Sequence, residues 1–252
     1  MCYTVSSFSD KNTLQKRFEA LLRKNDTDMP PPLTLFESRP LVSYYYVSGF
    51  SHPFLPVIRT DNWGVIQANR WGLVPTWVKE EKRAVEMAAM TLNAQSETAF
   101  EKPSFKDSIL QKRCVVLVDG FFEWQTKGKL KIPHFIYPRN KMPFAMGGIF
   151  NDWVNPLTGE ITPTFSILTT EANELMGAIH NTKKRMPLVL DMVQAKNWLN
   201  PTLQKEEIKA MMQPAANDFL DAHTIKQLHP ATPNEAKVLS EFFYDRDLPN
   251  MV

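Results

Sequence analysis

The chain has 252 residues, 43% of them hydrophobic and 22% charged, a balance that buries an ordinary core and excludes a disordered or fibrous class. The formal net charge of +2 excludes a global basic field, so any nucleic-acid site has to be a local patch. No run of about 18 apolar residues is present to span a bilayer, and Asp10, Lys11 and Asn12 stand where a secretory signal would be apolar.

Taken in order, the first predicted element is a helix capped at Ser9-Asp10. Leu14, Phe18, Leu21 and Leu22 fall on one stripe at i, i+4, i+7 and i+8. Asp28-Met29-Pro30-Pro31-Pro32 ends it as a loop. Strands are predicted over 41–47, 54–58 and 63–66, followed by the aromatic, turn-rich block Arg70-Trp71-Gly72-Leu73-Val74-Pro75-Thr76-Trp77. Helices are predicted around 80–90 and over 104–111. A buried strand over 114–118 continues into Asp119-Gly120-Phe121-Phe122-Glu123-Trp124. Further buried strands cover 144–150 and 164–169, Thr170 caps a helix over 171–179, and 188–190 is a short strand. Helices over 191–199 and 203–212 follow, and the tail from Ala222 is weakly patterned. Nineteen prolines against nine glycines favour short elements joined by defined loops. Strands come in groups with helices irregularly between them. The expectation is therefore an α+β fold in one domain over 1–252, with a β-rich, mostly antiparallel, barrel-like core flanked by helices. Residues 1–200 or so form its core and 201–252 an extension packed on it.

Two cysteines, Cys2 and Cys114, make no disulfide framework, which points to a reduced, cytoplasmic protein. His52, His134, His180, His223 and His229 are scattered with no metal-ligand spacing, so no metal is expected. No phosphate-binding loop, dinucleotide fingerprint or nucleophile elbow is present.

Several residues have both a chemical and a bland reading. Loss of Met1 would leave Cys2 with an α-amine of pKa about 7.7–8.0 beside a thiol, a pair suited to an aldehyde. Otherwise Cys2 is an incidental residue at a terminus. Glu123, among two phenylalanines and a tryptophan, is either a desolvated general acid/base or a paired edge glutamate. His180, followed by Asn181-Thr182-Lys183-Lys184-Arg185, is either a proton carrier beside a phosphate-binding patch or a helix C-terminal histidine. Asn93 reads as an orienting group or as a turn residue. Trp71, Trp77 and Trp124 read as base-stacking groups or as core.

The order of the motifs discriminates where single residues do not. Met1-Cys2, Trp71-Gly72-Leu73-Val74-Pro75, Leu92-Asn93-Ala94-Gln95-Ser96-Glu97-Thr98, Arg113-Cys114, Gly120-Phe121-Phe122-Glu123-Trp124, Ile179-His180 and Met186-Pro187 occur in a sequence that resembles the SOS-response-associated peptidase (SRAP) family. The resemblance runs from Met1 to about Asn200. It implies a single domain with a positively charged groove and a partner in single-stranded DNA carrying abasic sites. It also implies covalent capture of such sites as a thiazolidine on Cys2, with possible strand-cleaving lyase activity and self-reversal.

By motif, Cys2 resembles the family's nucleophile and Asn93 the asparagine that orients it. Glu123 resembles the acid/base glutamate, and His180 the histidine assisting Schiff-base chemistry. Trp71, Gly72, Gln95 and Trp124 fall in or beside motifs placed at the DNA. No metal, cofactor or membrane enters this chemistry, and a monomer is expected, nucleoid-associated when bound to DNA. Three departures stand out. Tyr3-Thr4-Val5 follows Cys2 where the family carries Gly-Arg, Gln95 replaces an arginine, and the segment between His180 and Arg185 is longer. Lys183, Lys184 and Arg185 are the candidates to replace the missing cations. The competing readings are an N-terminal-nucleophile peptidase or amidohydrolase, and a non-covalent single-stranded DNA-binding module.

Overall fold

The structure, a computed structural model, describes residues 2–22, 41–229 and 231–244. Residues 28–32, expected to end the first helix, lie outside them, as does Met1. Five strands close into a ring: β3 (Phe54–Arg59), β4 (Asn62–Trp71), β6 (Arg113–Val118), β9 (Phe144–Val154) and β10 (Ile161–Glu171). β4 pairs β3, β3 pairs β6, β6 pairs β9 and β9 pairs β10, all antiparallel; a parallel β10–β4 pairing shuts the ring. β5 (Asn93–Gln95) and β11 (Arg185–Pro187) attach to β10, and β12 (Val189–Leu190) attaches to β9. A second, five-stranded sheet runs in the order β13 (Leu220–Thr224), β8 (Leu130–Pro138), β7 (Gly120–Lys127), β1 (Thr4–Ser7), β2 (Tyr44–Ser48). The expected α+β class with a barrel-like, mostly antiparallel core is what the chain forms.

Strand alternation sorts the ring's side chains into two clusters. Ile58, Ile66, Val115, Leu117, Ile149 and Leu168 pack under Leu14 and Phe18 of α1 (Lys11–Leu22) and Trp198 of α5 (Met192–Trp198). A ring of five strands has no room for a helix, so this face is the outside. The other face gathers Leu55, Val57, Trp71, Cys114, Val116, Phe150, Phe165 and Ile167. That cluster continues into Cys2, Val5, Phe121, Ile136 and Leu220 of the second sheet and its approach. The second sheet's far face is covered by the C-terminal tail, where Ile225, Leu228 and Leu239 meet Phe122 and Phe135.

The helices follow the sequence signals with local adjustments. Asp10 caps α1 by accepting from the Thr13 amide at 2.8 Å. Asp191 and Gln194 form a reciprocal capping box on α5, and Gln204 with Glu207 does the same for α6 (Lys205–Met211). α2 (Glu81–Met90) and α3 (Lys106–Gln111) lie where expected. Three expectations are corrected. The segment 114–124 is not one strand: Asp119 turns the chain out of β6 and into β7 of the other sheet. Thr170 is not a helix cap; β10 runs on to Glu171, and the hydroxyl of Thr170 donates to Met212 O at 2.9 Å. The cap of α4 (Glu174–Ile179) is Asn173. The tail expected to be weakly patterned from Ala222 begins in a regular strand, because β13 pairs with residues 134–138 of β8.

Gly72 follows the last residue of β4 with φ +114°, and its amide donates to Phe165 O at 2.8 Å. A Cβ there would lie 2.6 Å from Ala88 O and 2.9 Å from His52 Nδ1. Gly72→Ala is expected to lower stability by about 2–3 kcal/mol through strain and clash together. Urea unfolding of the two proteins checks this, and equal midpoints would contradict it.

Candidate active site

β7 carries the acid. Phe121 points into the inner cluster and Phe122 to the outer one, so alternation turns Glu123 inward and Trp124 outward. β1 pairs β7 through Val5↔Phe121 and Ser6↔Gly120. Extending that register brings residue 3 alongside Glu123, although the Tyr3 carbonyl is taken instead by the Gly49 amide at 2.8 Å. A clamp holds this arrangement: the Asp119 carboxylate accepts from the amides of Phe8 at 2.6 Å and Ser9 at 2.9 Å, and from the Ser9 hydroxyl. The start of the chain is thereby fixed beside a residue more than a hundred positions away.

Glu123 is 5% exposed, and burial raises its carboxyl to about 7. His180 ends α4 and is buried. Its Nδ1 lies 2.9 Å from Arg185 O and 3.3 Å from the Arg185 amide. One ring nitrogen does not donate and accept at once, and the shorter contact defines Nδ1–H as a donor to the carbonyl. Nε2 faces Glu123 Oε2 at 3.9 Å. Burial lowers the pKa of His180, and the charges of Lys183 and Arg185 lower it further. An acid held near neutrality and an imidazole held neutral thus face each other, an arrangement for moving one proton.

Cys2 is wholly buried, its thiol directed to Thr4 O at 3.7 Å. Burial pushes the thiol up, and the charge of Glu123 pushes it the same way. At neutral pH it is a thiol and not a thiolate. Asn93 joins the group through β5, where it stands beside Ile167 of β10. Residues in register in neighbouring strands share a face, so its side chain lies on the face of β10 that carries Ile167. Both of its side-chain polar atoms are buried without a hydrogen-bond partner, a cost of about 1–3 kcal/mol that marks a group held ready for a ligand or a reacting atom.

The loop bearing His180 is tied down at both ends. Asn181 accepts from the Thr126 amide at 3.1 Å and donates to its carbonyl at 2.8 Å, and Gln125 donates to Ala178 O at 3.1 Å. These contacts staple α4 to β7 beyond Glu123. Sequence reading missed Asn181, Gln125 and Asp119, because only the fold reveals that their partners are near. Lys183 and Lys184 are exposed on the turn, with Lys184 at φ +49°. Gln95 shares a strand face with Asn93.

Four residues expected at the DNA have other contacts within the folded chain. Trp71 has no exposed surface; it lies over Phe165 with ring centroids 6.1 Å apart and donates from its indole to Leu92 O at 2.8 Å. It holds the residue before Asn93 in place instead of offering a face to a base. Gly72 serves the backbone turn described above. Trp124 packs against the tail on the sheet's other face. Arg185 has its guanidinium engaged by Glu97, with one arm at 2.9 Å, and by Thr169 O at 2.7 Å. Among the described residues no three His, Cys, Asp or Glu side chains gather as a metal site, and no helix is long and apolar enough to cross a membrane.

The chain is similar to several known proteins. Over 174 residues the chain is 37% identical to the abasic site processing protein YoqW of Bacillus subtilis, an alignment spanning 68% of this chain and 74% of that protein. It is 39% identical over 174 residues to the abasic site processing protein HMCES of Gallus gallus, covering 61% of this chain and 51% of that one. A crystal structure of a protein from Bacteroides thetaiotaomicron has the same fold, with TM-score 0.85 and 35% identity over 96% of this chain and all of the other. A second, from Bordetella bronchiseptica, shares the fold at TM-score 0.71 and 21% identity, covering 90% of this chain. The model of the SOS response associated peptidase family matches residues 1–228, and the chain belongs to that family.

Proposed function

We propose that this protein processes abasic sites in single-stranded DNA by linking to them covalently through Cys2 after removal of Met1. The observation that carries the reading is that buried Glu123 faces His180 at 3.9 Å and acts on the thiol of buried Cys2. The names of the relatives support the substrate.

The steps follow from ordinary amine and carbonyl chemistry. The ring-opened abasic sugar presents an aldehyde. The neutral α-amine of Cys2 adds to C1′ and gives a carbinolamine, which loses water to form an imine. The thiol then adds across the C=N bond, its sulfur to carbon and its proton to nitrogen, closing a five-membered thiazolidine. Glu123, half protonated near pH 7, supplies the proton that turns the carbinolamine hydroxyl into a leaving water. His180 Nε2 is an acceptor for the sugar hydroxyl proton. Asn93 holds Cys2. The raised pKa of the thiol suits this order, since the amine reacts first and the sulfur is needed only after the imine exists. It counts against the peptidase reading, which starts from a thiolate. An imine that escapes ring closure would lead to β-elimination and strand cleavage. Cys2 is fully enclosed in the chain that begins with Met1. The reading therefore requires the unprocessed chain to be inert and the site to open around residue 2 once processing has occurred.

Intact-mass spectrometry with an abasic oligonucleotide tests this. The expected product is the sum of the two masses less one water, formed by the Met1-free protein and absent from the Met1-retaining form and from Cys2→Ala. A heat-stable adduct from Cys2→Ala at the unaltered rate would sink the proposal.

Glu123 provides a second test. Its folded pKa of about 7 lies above the ordinary 4.5, so the folded chain binds more protons than the unfolded one between those values. Its contribution to stability is thus favourable below about pH 4.5 and lost as pH rises to about 7, by up to about 3 kcal/mol. Glu123→Gln should flatten the fall in stability between pH 5 and 8 and slow cross-linking by about 10²-fold or more. Parallel pH–stability curves for the two proteins would remove Glu123 from the acid role.

Lys183 and Lys184 are proposed as contacts to the DNA backbone, in place of the missing arginines. Converting both to glutamine should reduce the slope of log affinity against log salt for single-stranded DNA by about 1.4. An unchanged slope would exclude them.

A further inference from the structure

The geometry points to Tyr3 and Phe50 as an aromatic platform on which one of the two nucleobases flanking the abasic site stacks; this rests on the reading above, in which the lesion lies at Cys2. Tyr3 follows Cys2 directly. β1 pairs β2 with Thr4 opposite Ser48, which brings the short 3₁₀ turn Gly49–Ser51 beside Tyr3. The rings of Tyr3 and Phe50 meet there, with centroids 5.1 Å apart and planes tilted by 31°. By alternation Tyr3 points to the same side as Val5, and it packs on the inner cluster that holds Cys2. Burial raises its phenol above the ordinary value and the charge of Glu123 raises it further, so the ring lies within the field of the acid. Phe50 is 59% exposed. One ring is thus anchored at the site, and the other continues the aromatic surface out to solvent.

A single exposed aromatic side chain is ordinary on a protein surface. What sets Phe50 apart is the stiffness of the turn that carries it. The Gly49 amide donates to Tyr3 O at 2.8 Å, and the His52 amide donates to Gly49 O at 2.9 Å. Ser48 accepts from the Phe50 amide at 3.3 Å through its hydroxyl, and its carbonyl accepts from the Ser51 hydroxyl at 2.7 Å. His52 Nδ1 lies 2.8 Å from Trp71 O, and a Cβ on Gly49 would come within 3.1 Å of the Trp71 ring. The turn therefore rests on a wholly buried tryptophan and on the residue after the nucleophile. A ring presented this way is ordered before a ligand arrives, so little further entropy is lost on binding. Neither side chain offers a cation, which argues for a base and against a phosphate as the occupant. An abasic nucleotide also leaves each neighbouring base with one face unstacked, and an aromatic ring beside the lesion supplies the missing partner.

The test uses the Met1-free protein and single-stranded oligonucleotides carrying a tetrahydrofuran abasic analogue, which lacks the C1′ hydroxyl and cannot open to an aldehyde. The nucleotide on each side of the analogue is adenine, thymine or a second tetrahydrofuran spacer. The wild-type protein should bind more tightly, by about 5- to 100-fold, when adenine replaces the spacer on one particular side, with thymine between the two. Phe50→Ala and Tyr3→Leu should bind the spacer-flanked oligonucleotide as the wild type does and lose most of the adenine advantage. Phe50→Leu keeps apolar bulk without a ring face and should lose it as well, whereas Phe50→Trp should retain it. A wild-type protein indifferent to both flanking bases, or a Phe50→Ala variant that keeps the full adenine advantage, would overturn the inference. Should Tyr3→Leu fail to fold, the variants at exposed Phe50 decide alone. The analogue separates this result from the covalent chemistry. If the wild-type protein forms no adduct with a true abasic oligonucleotide yet shows a flanking-base preference that Phe50→Ala removes, the function proposed above fails and the platform stands. An adduct formed by a protein with no flanking-base preference overturns the platform alone.

Discussion

The site depends on pairing of the first strand with β7, a non-local contact whose only sequence link is more than a hundred residues of intervening chain. Closing that loop costs entropy, which is offset by burying Val5 and Phe121 in the inner cluster and by the three donors that converge on Asp119. Without the pairing, Cys2 would be a terminal residue free to fray and Glu123 an acid on a strand edge. With it, both enter the same apolar environment. The raised carboxyl, the neutral thiol and the neutral imidazole are all consequences of that one placement.

The electrostatic design is economical with charge. Burial, the first cause of every shift in the site, acts on Cys2, Glu123 and His180 alike and favours the neutral form of each. A site assembled from neutral groups suits the condensation of an amine with an aldehyde, which needs a free amine and a proton donor together near pH 7. The cations stand outside, on the turn after α4. Lys183 and Lys184 are free to face a polyanion, whereas the Arg185 guanidinium is bonded to Glu97 and Thr169. With a net charge of only +2, nucleic-acid binding would fall to local cations such as Lys183 and Lys184, which are exposed on that turn.

Much of the fold was legible because its signals are local. Asp10, Asp191 and the apolar stripe through Leu14 and Phe18 mark helices by contacts within one or two turns, and runs such as 114–118 mark buried strands by composition. The misreadings have one cause. Apolar runs flank Asp119-Gly120 on both sides of 114–124, so the segment reads as one strand although Asp119 passes the chain from one sheet to another. Likewise β8 carries Pro133 and Pro138 and a half-polar pattern, and becomes a strand because β7 and β13 pair on both of its edges. The motifs of Trp71 and Trp124 do not say which way the rings turn, because an aromatic residue reads the same whether it faces a base or a core.

By itself the sequence determined which chemistry was available: an amine and a thiol on one residue, an acid among aromatics, an imidazole before a basic run, and motifs in the family's order. Those are properties of residue types and their spacing along the chain. Only the tertiary structure decided which of these groups meet, which way Glu123 and Trp124 turn from adjacent positions of β7, and that Arg185 is bound to Glu97 while its neighbours stay free. Side-chain direction is set by strand pairing and pKa by what closes around a group. Both arise from contacts between segments far apart in the chain, which no local pattern encodes.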